Sequence, residues 1–327
     1  MSRTRLAALI GPALAAALAL AACGGGSAAV ADPTATLPAP EAATPTPTAT
    51  ATPTPPPTPT PTPTGGLLFK PTRVEPGGIA IIYLDADATS ATVKFQGRQY
   101  PMLHQDNRWW TIVGVGAGLE LGLYPVSVTY APAGGETFVS VVASLAVTER
   151  VFPVVRIDLD PESSSLLSQE IVQAELAQRA AIFSRYTAQR LWSGPFIAPT
   201  ASAMSSVYGE GRSYNGGPVT DYHRGTDYVG DIGSPVAAAA AGQIAFTGAL
   251  RVRGNSIMID HGAGVFTAYH HLSSIDVIED QIVSAGETIG AVGSTGVATG
   301  PHLHWEVVVR GVEVDGEVWL SGDEIAP

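Results

Sequence analysis

The residues best suited to chemistry lie near the end of the chain, in Gly300-Pro301-His302-Leu303-His304-Trp305-Glu306-Val307-Val308-Val309. After the Gly-Pro turn this stretch is predicted to be a β-strand, being rich in Val and Trp. Strand side chains alternate between faces, so His302 and His304 share one face while Leu303, Trp305, Val307 and Val309 share the other. The apolar row is placed to enter a core, and the two imidazoles stand together, as a metal site requires. A second cluster, Tyr222-His223-Arg224-Gly225-Thr226-Asp227, offers a histidine and a carboxylate four positions apart. Zinc accepts imidazole nitrogen and carboxylate oxygen in a tetrahedral shell. His223, Asp227 and His304 make three protein ligands and leave the fourth position to water, as in hydrolytic centres. A closed structural zinc site usually needs a fourth protein ligand, often a cysteine, and the only cysteine is Cys23.

Six of the seven histidines (His223, His261, His270, His271, His302 and His304) fall in the last third of the chain; His104 stands alone. The segments around them resemble the lysostaphin-like, LytM-type zinc metallopeptidases. The resemblance is carried by Tyr222-His-Arg-Gly-Thr-Asp227, Gly254-Asn-Ser-Ile-Met-Ile-Asp-His-Gly262, Tyr269-His-His-Leu272 and Gly293-Ser-Thr-Gly-Val-Ala-Thr-Gly-Pro-His-Leu-His304, in the family's order. It implies the duplicated hybrid motif of antiparallel sheets, one zinc held by His223, Asp227 and His304, and two further catalytic histidines, His271 and His302. It implies as substrate the stem or cross-bridge peptides of peptidoglycan. Tyr208, Arg212, Tyr214 and Asn255 are placed in or near a substrate groove, Asn255 also serving backbone groups beside the site. His270 is expected to face away from His271 and to be incidental, and His261 to make a structural hydrogen bond. One departure from the family is Glu279-Asp280-Gln281, where relatives carry a glycine turn.

The elements that must position these residues form a mainly β chain. Residues 196–327 are expected to be the peptidase domain, with strand-like runs at 243–247, 256–260, 265–269, 288–292 and 302–309. Residues 149–195 read as a helical connector: Asp160-Pro161-Glu162 has the order of a helix start, and Leu167, Ile171, Ala174, Gln178, Ile182 and Tyr186 fall on one stripe. Residues 65–148 read as short strands at the spacing of an immunoglobulin-like β-sandwich, expected to act as a spacer or wall-contact module.

Residues 1–22 have the form of a signal peptide. Arg3 and Arg5 precede an apolar run over 6–20 that is short for a membrane span. Leu20-Ala21-Ala22-Cys23 resembles the bacterial lipobox, which makes Cys23 the lipidated first residue of the mature chain and the membrane anchor. Residues 23–64 are Ala, Thr and Pro with almost no large apolar side chain, a disordered stalk with polyproline II character. The chain carries 17 basic and 29 acidic residues, a formal charge of −12, which argues against nucleic acid as a partner. A monomer is assumed. Two functions from different classes follow: a zinc endopeptidase facing the cell wall, or a non-catalytic wall-binding regulator of another hydrolase. Degenerate relatives have lost ligands whereas all five site residues are present here, which favours the enzyme. A metal-capture lipoprotein is the weaker third reading.

Overall fold

The computed structural model describes residues 66–135, 137–321 and 325. The expected signal peptide, Cys23 and the stalk lie outside the described residues. Among the described residues no helix is long and apolar enough to cross a membrane.

The first part is a two-sheet β-sandwich. One sheet runs Leu67–Lys70, Ile79–Leu84, Arg108–Gly114, Leu103–Gln105. The other runs Arg73–Val74, Val139–Val147, Gly122–Pro132, Ala88–Phe95, Arg98–Pro101. Leu67, Ile82, Leu84 and Val113 meet Val93, Phe95, Val126, Val128 and Leu145 between the sheets. Ile79–Leu84 (Ile-Ala-Ile-Ile-Tyr-Leu) is buried at all six positions, because its sheet is covered on both faces. Ala80, Ile82 and Leu84 face the sandwich, while Ile79, Ile81 and Tyr83, with Trp110 and Ile112, belong to the core of the C-terminal part. The sandwich is therefore more than a spacer: it shares a core with the peptidase-like sheet. Each fully buried large apolar side chain contributes about 1.5–3 kcal/mol, so Trp110 and Ile112 alone anchor the junction firmly.

The connector departs from the expected helix in three ways. It opens with a strand, Val154–Ile157, which pairs in parallel with Gly211–Tyr214. Helix α1 (Pro161–Leu166) starts as the sequence indicates, the Asp160 carboxylate accepting from the Ser163 amide at 2.9 Å. The chain then breaks at Leu167 and Ser168 before α2 (Gln169–Phe183). The buried positions of α2 are Glu175, Arg179, Ile182 and Phe183, so the apolar stripe read from the sequence is not the buried stripe. Two charged side chains occupy the centre of the seam because partners from the C-terminal sheet neutralise them, as described below.

The C-terminal part is built on an antiparallel sheet in the order Met204–Ser206, Thr226–Val229, His302–Val309, Val265–Leu272, Gly254–Asp260, Gly242–Leu250, Ile282–Val283, with Val312–Val314 also paired to His302–Val309. A small sheet of Pro235–Ala237, Thr288–Ala291 and Ser274–Ile275 flanks it. Leu303, Trp305, Val307 and Val309 are all fully buried in the main core, so the apolar row of the last long strand lies where the sequence puts it. In the turn at Glu279-Asp280-Gln281, Asp280 takes φ +68°, the left-handed conformation that a glycine adopts without steric cost.

Candidate metal and catalytic site

Strand His302–Val309 lies between Thr226–Val229 and Val265–Leu272, with Asp227 and His270 both in register with His304. His223 arrives from the loop after Val219–Tyr222, its amide donating to the Glu210 carbonyl at 2.8 Å. Gly225 makes the return to Asp227 possible: a Cβ there would stand 2.3 Å from the Trp305 carbonyl oxygen. Backbone thus carries His223, Asp227 and His304 to one point. The donor atoms lie 3.0 Å apart for His223 Nε2 and Asp227 Oδ1, 3.0 Å for His223 Nε2 and His304 Nδ1, and 2.7 Å for His304 Nδ1 and Asp227 Oδ1.

The outer nitrogen of each ring fixes its inner one. His223 Nδ1–H donates to the Val207 carbonyl at 2.8 Å, so the neutral ring presents a bare Nε2. His304 Nε2–H donates to Glu306 Oε1 at 3.0 Å, so its neutral ring presents a bare Nδ1. With the Asp227 carboxylate these are three acceptors in mutual contact, an arrangement only a cation relieves. Burial lowers the pKa of His223, outweighing the nearby Asp227 carboxylate, which favours its protonated form. For His304, burial also opposes charge, but Asp227 and Glu306 outweigh it and raise the pKa. Burial works against ionised Asp227, yet the facing imidazoles of His223 and His304, where they carry a proton toward it, outweigh burial and hold the carboxyl far below its ordinary value. A proton on His304 satisfies one acceptor pair. A metal ion satisfies all three, and two imidazole nitrogens with a carboxylate oxygen are the donor set zinc takes. Tetrahedral zinc places such donors about 3.3–3.5 Å apart, so a small outward adjustment seats it.

Two more imidazoles face this cluster. His271 Nδ1–H donates to the Thr295 carbonyl at 2.7 Å, and His302 Nδ1–H donates to the Gly300 carbonyl at 2.8 Å. Both rings therefore keep Nε2 free to accept a proton. Their centroids are 4.7 Å apart, His271 is 6.0 Å from the His304 ring, and His302 Nε2 is 3.9 Å from Asp227 Oδ1. Burial, then the neighbouring His302 and His304, hold the His271 pKa well below the ordinary histidine value. A buried His-Asp-His cluster flanked by two imidazoles whose Nε2 atoms are free has the groups that metal-assisted hydrolysis uses.

Strict alternation fails at this point of the strand. The pairing of Gly254–Asp260 with Val265–Leu272 slips by one residue between Asn255 and Ile257, a bulge that gives Val265–Leu272 one extra residue. His271 takes φ +61°, and both His270 and His271 turn toward His304. His270 is not incidental: it is fully buried, stacks on His304 at 5.7 Å, and its Nδ1 lies 2.8 Å from the Ser256 hydroxyl. Its Nε2 has no hydrogen-bond partner and is 3.8 Å from Glu306. Burial pushes its pKa down to about 3. His261, by contrast, is away from the cluster. Its Nδ1–H donates to the Ala241 carbonyl at 2.8 Å, and its Nε2 is 2.8 Å from the Thr267 hydroxyl.

The four groove residues separate. Tyr208 is 2% exposed and is not in a groove. Its hydroxyl donates to the Glu313 carbonyl at 2.8 Å and accepts from the Ala117 amide at 3.0 Å, which pins the sandwich to the C-terminal part. Asn255 is half-buried and serves backbone groups beside the site, as expected. Its Nδ2 donates to the Leu272 carbonyl at 3.1 Å, which also accepts from the Thr295 hydroxyl at 3.0 Å, so Asn255 fixes the end of the bulged strand. Arg212 stands beside the cluster, 3.6 Å from Asp227 Oδ2 and 2.8 Å from the Ser206 hydroxyl. Tyr214, two residues along the same strand, is half-buried.

The sequence reading passed over Glu306. It continues the row of His302 and His304 at the same two-residue step, which was the available signal. It is fully buried and bonded to His304, Arg179 and Arg253. Three charged residues completing this group, Arg253 and the α2 residues Glu175 and Arg179, carried no such signal.

The profile of Peptidase family M23 matches residues 221–316, and that of the Peptidase family M23 N-terminal domain matches 73–141, together half of the chain. The DD-carboxypeptidase/endopeptidase Mpg of Neisseria meningitidis serogroup B is 48% identical over 93 residues, 28% of this chain and 21% of that protein. The peptidoglycan DD-endopeptidase ShyA of Vibrio cholerae is 45% identical over 93 residues, 28% of this chain and 22% of that protein. The chain thus spans about a fifth of the length of these curated relatives. A crystal structure of an M23 peptidase from Pseudomonas aeruginosa superposes with a TM-score of 0.55 at 25% identity, covering 76% of this chain and 95% of that one.

Proposed function

From the premise that this chain belongs to peptidase family M23, we propose that it is a zinc-dependent endopeptidase hydrolysing stem or cross-link peptides of bacterial peptidoglycan. The observation that carries the reading is the convergence of three bare donor atoms, from His223, Asp227 and His304, beside two histidines with free Nε2 atoms. Zinc bound there supplies Lewis acidity, polarising a scissile carbonyl and lowering the pKa of a water. The protein groups do the rest. His271 Nε2 takes the proton from the attacking water and returns it to the leaving amine. His302, the most open of the four site histidines, takes up a proton on its free Nε2 and so donates to the oxygen on which negative charge develops. Arg212, next to Asp227, and Tyr214 form the wall along which the peptide is laid. The presence of all five site residues favours the enzyme over the wall-binding regulator.

Incubating the purified protein with peptidoglycan should release peptide fragments of reduced cross-linking, identified by mass, and a chelator should abolish the release until zinc is restored. The glycan strands should stay intact, since no carboxylate pair of glycosidase type accompanies the site. New reducing sugar ends with intact peptides would overturn the reading.

We further propose that the enzyme works outside the membrane, tethered by a lipid on Cys23. The support is the lipobox-like Leu20-Ala21-Ala22-Cys23 after a short apolar run, and a relative from Haemophilus influenzae, outer membrane antigenic lipoprotein B, 43% identical over 94 residues. Cys23→Ser should leave a chain that takes up no labelled fatty acid and does not partition with membranes. Uptake equal to the parent would refute the anchor.

A further inference from the structure

The seam of α2 is built from charge where an apolar stripe would pack. Glu175 and Arg179, four residues apart and 4% and 1% exposed, sit on its buried face. Arg179 donates to Glu306 Oε2. Arg253 donates to Glu306 Oε1 at 3.0 Å and to Glu175 Oε1 at 3.0 Å. Glu175 Oε2 accepts from the Val252 amide at 2.6 Å. These four groups sum to zero charge, with the Glu313 carboxylate at 3.5 Å from Arg179 beyond them, and Glu306 also accepts from His304 Nε2–H.

A buried ion-pair lattice is a weak source of stability compared with an apolar seam of the same volume. Its form here suits a different task. Glu306 held from one side only is free to rotate about its carboxylate. Held by Arg253 on Oε1 and Arg179 on Oε2, its plane is fixed, and so is the ring of His304 that it receives. Carboxylates that accept the outer N–H of a ligating histidine set its tautomer and direction. We propose that the connector helix is part of the metal centre: Glu175 and Arg179 are positioning residues that act through Arg253 and Glu306 to aim His304 Nδ1 at Asp227 and His223. The inference rests on the metal-site reading above. It means that an element outside the peptidase sheet completes the centre, so that whatever displaces α2 weakens metal binding.

The test uses the full chain and three measurements: zinc affinity by chelator competition, the visible spectrum of the cobalt-substituted protein, and the thermal midpoint in chelator. Arg179→Met should weaken zinc binding by ~10–100-fold, the usual cost of losing such an outer partner, and alter the cobalt spectrum. Arg179→Lys, which keeps the charge with fewer donors, should recover part of the affinity. Ile182→Ala, on the same buried face but against Phe266 and Met258, should lower the thermal midpoint and leave zinc affinity within twofold of the parent. Should Arg179→Met fail to fold, Glu175→Gln asks the same question with a smaller change, and is expected to weaken zinc binding too. Parent-like zinc affinity in the folded Glu175 or Arg179 variants, or an equal loss in Ile182→Ala, overturns the proposal and leaves the metal site standing. A parent protein that binds no zinc overturns both.

Discussion

His304→Ala should lose zinc and peptide cleavage together. Of the three proposed ligands, His304 is the one the fold holds most closely. Its strand is paired on both sides, its ring stacks on His270, and its outer nitrogen is held by a fully buried carboxylate. Structural zinc binding of about 10–16 kcal/mol shared over four ligands assigns roughly 2.5–4 kcal/mol to each, or ~10²–10³-fold in affinity. Thermal unfolding checks this without recourse to activity. Zinc at 100 times its dissociation constant stabilises the parent by about 2.7 kcal/mol, and the same zinc concentration should leave the midpoint of the variant near its value in chelator. The change should not unfold the protein, because Glu306 keeps both arginines and Leu303 and Trp305 keep the strand in the core. A variant that binds zinc as tightly as the parent would show that the ligand assignment is wrong.

What could be seen in the sequence follows from the range over which each cause acts. His302, His304 and the apolar residues between them were legible because a two-residue period on one strand decides both faces. His223 and Asp227 were legible because the Gly225 turn that joins them is local. The sandwich strands could be found from their spacing, yet the destination of Ile79, Ile81 and Tyr83 could not, since a doubly buried strand looks the same whatever covers its second face. The bulge at His270 and His271 exists only in the pairing of two strands, so alternation read along one strand put His270 on the wrong side. Glu175 and Arg179 gave no signal for a related reason. An i, i+4 pair of opposite charge normally marks a solvated helix face, and only Arg253 and Glu306, far along the chain, reverse that meaning. Tyr208 is the same lesson in an aromatic residue: its neighbours in sequence line the site, while its own ring is taken up by the sandwich contact.

His271→Ala separates catalysis from metal binding. Its Nδ1–H is committed to the Thr295 carbonyl and its Nε2 is bare, while the three proposed ligands are elsewhere. The variant should bind about one zinc per chain with near-parent affinity, and its cleavage rate should fall by ~10²–10⁴-fold, the usual contribution of a positioned general acid or base. Loss of the bond to Thr295 should cost only about 0.5–1.5 kcal/mol of stability. The backbone needs its own control, because His271 sits at φ +61° and alanine is no more comfortable there than histidine. His271→Asn supplies it: asparagine tolerates the left-handed region, keeps a side chain that can donate to Thr295, and has no base. If the loss of rate came from a disturbed bulge, His271→Asn should restore much of it; if it came from the missing imidazole, the two variants should be equally slow. Near-parent cleavage by zinc-loaded His271→Ala would remove this residue from the mechanism, and loss of zinc from it would return His271 to the list of ligands.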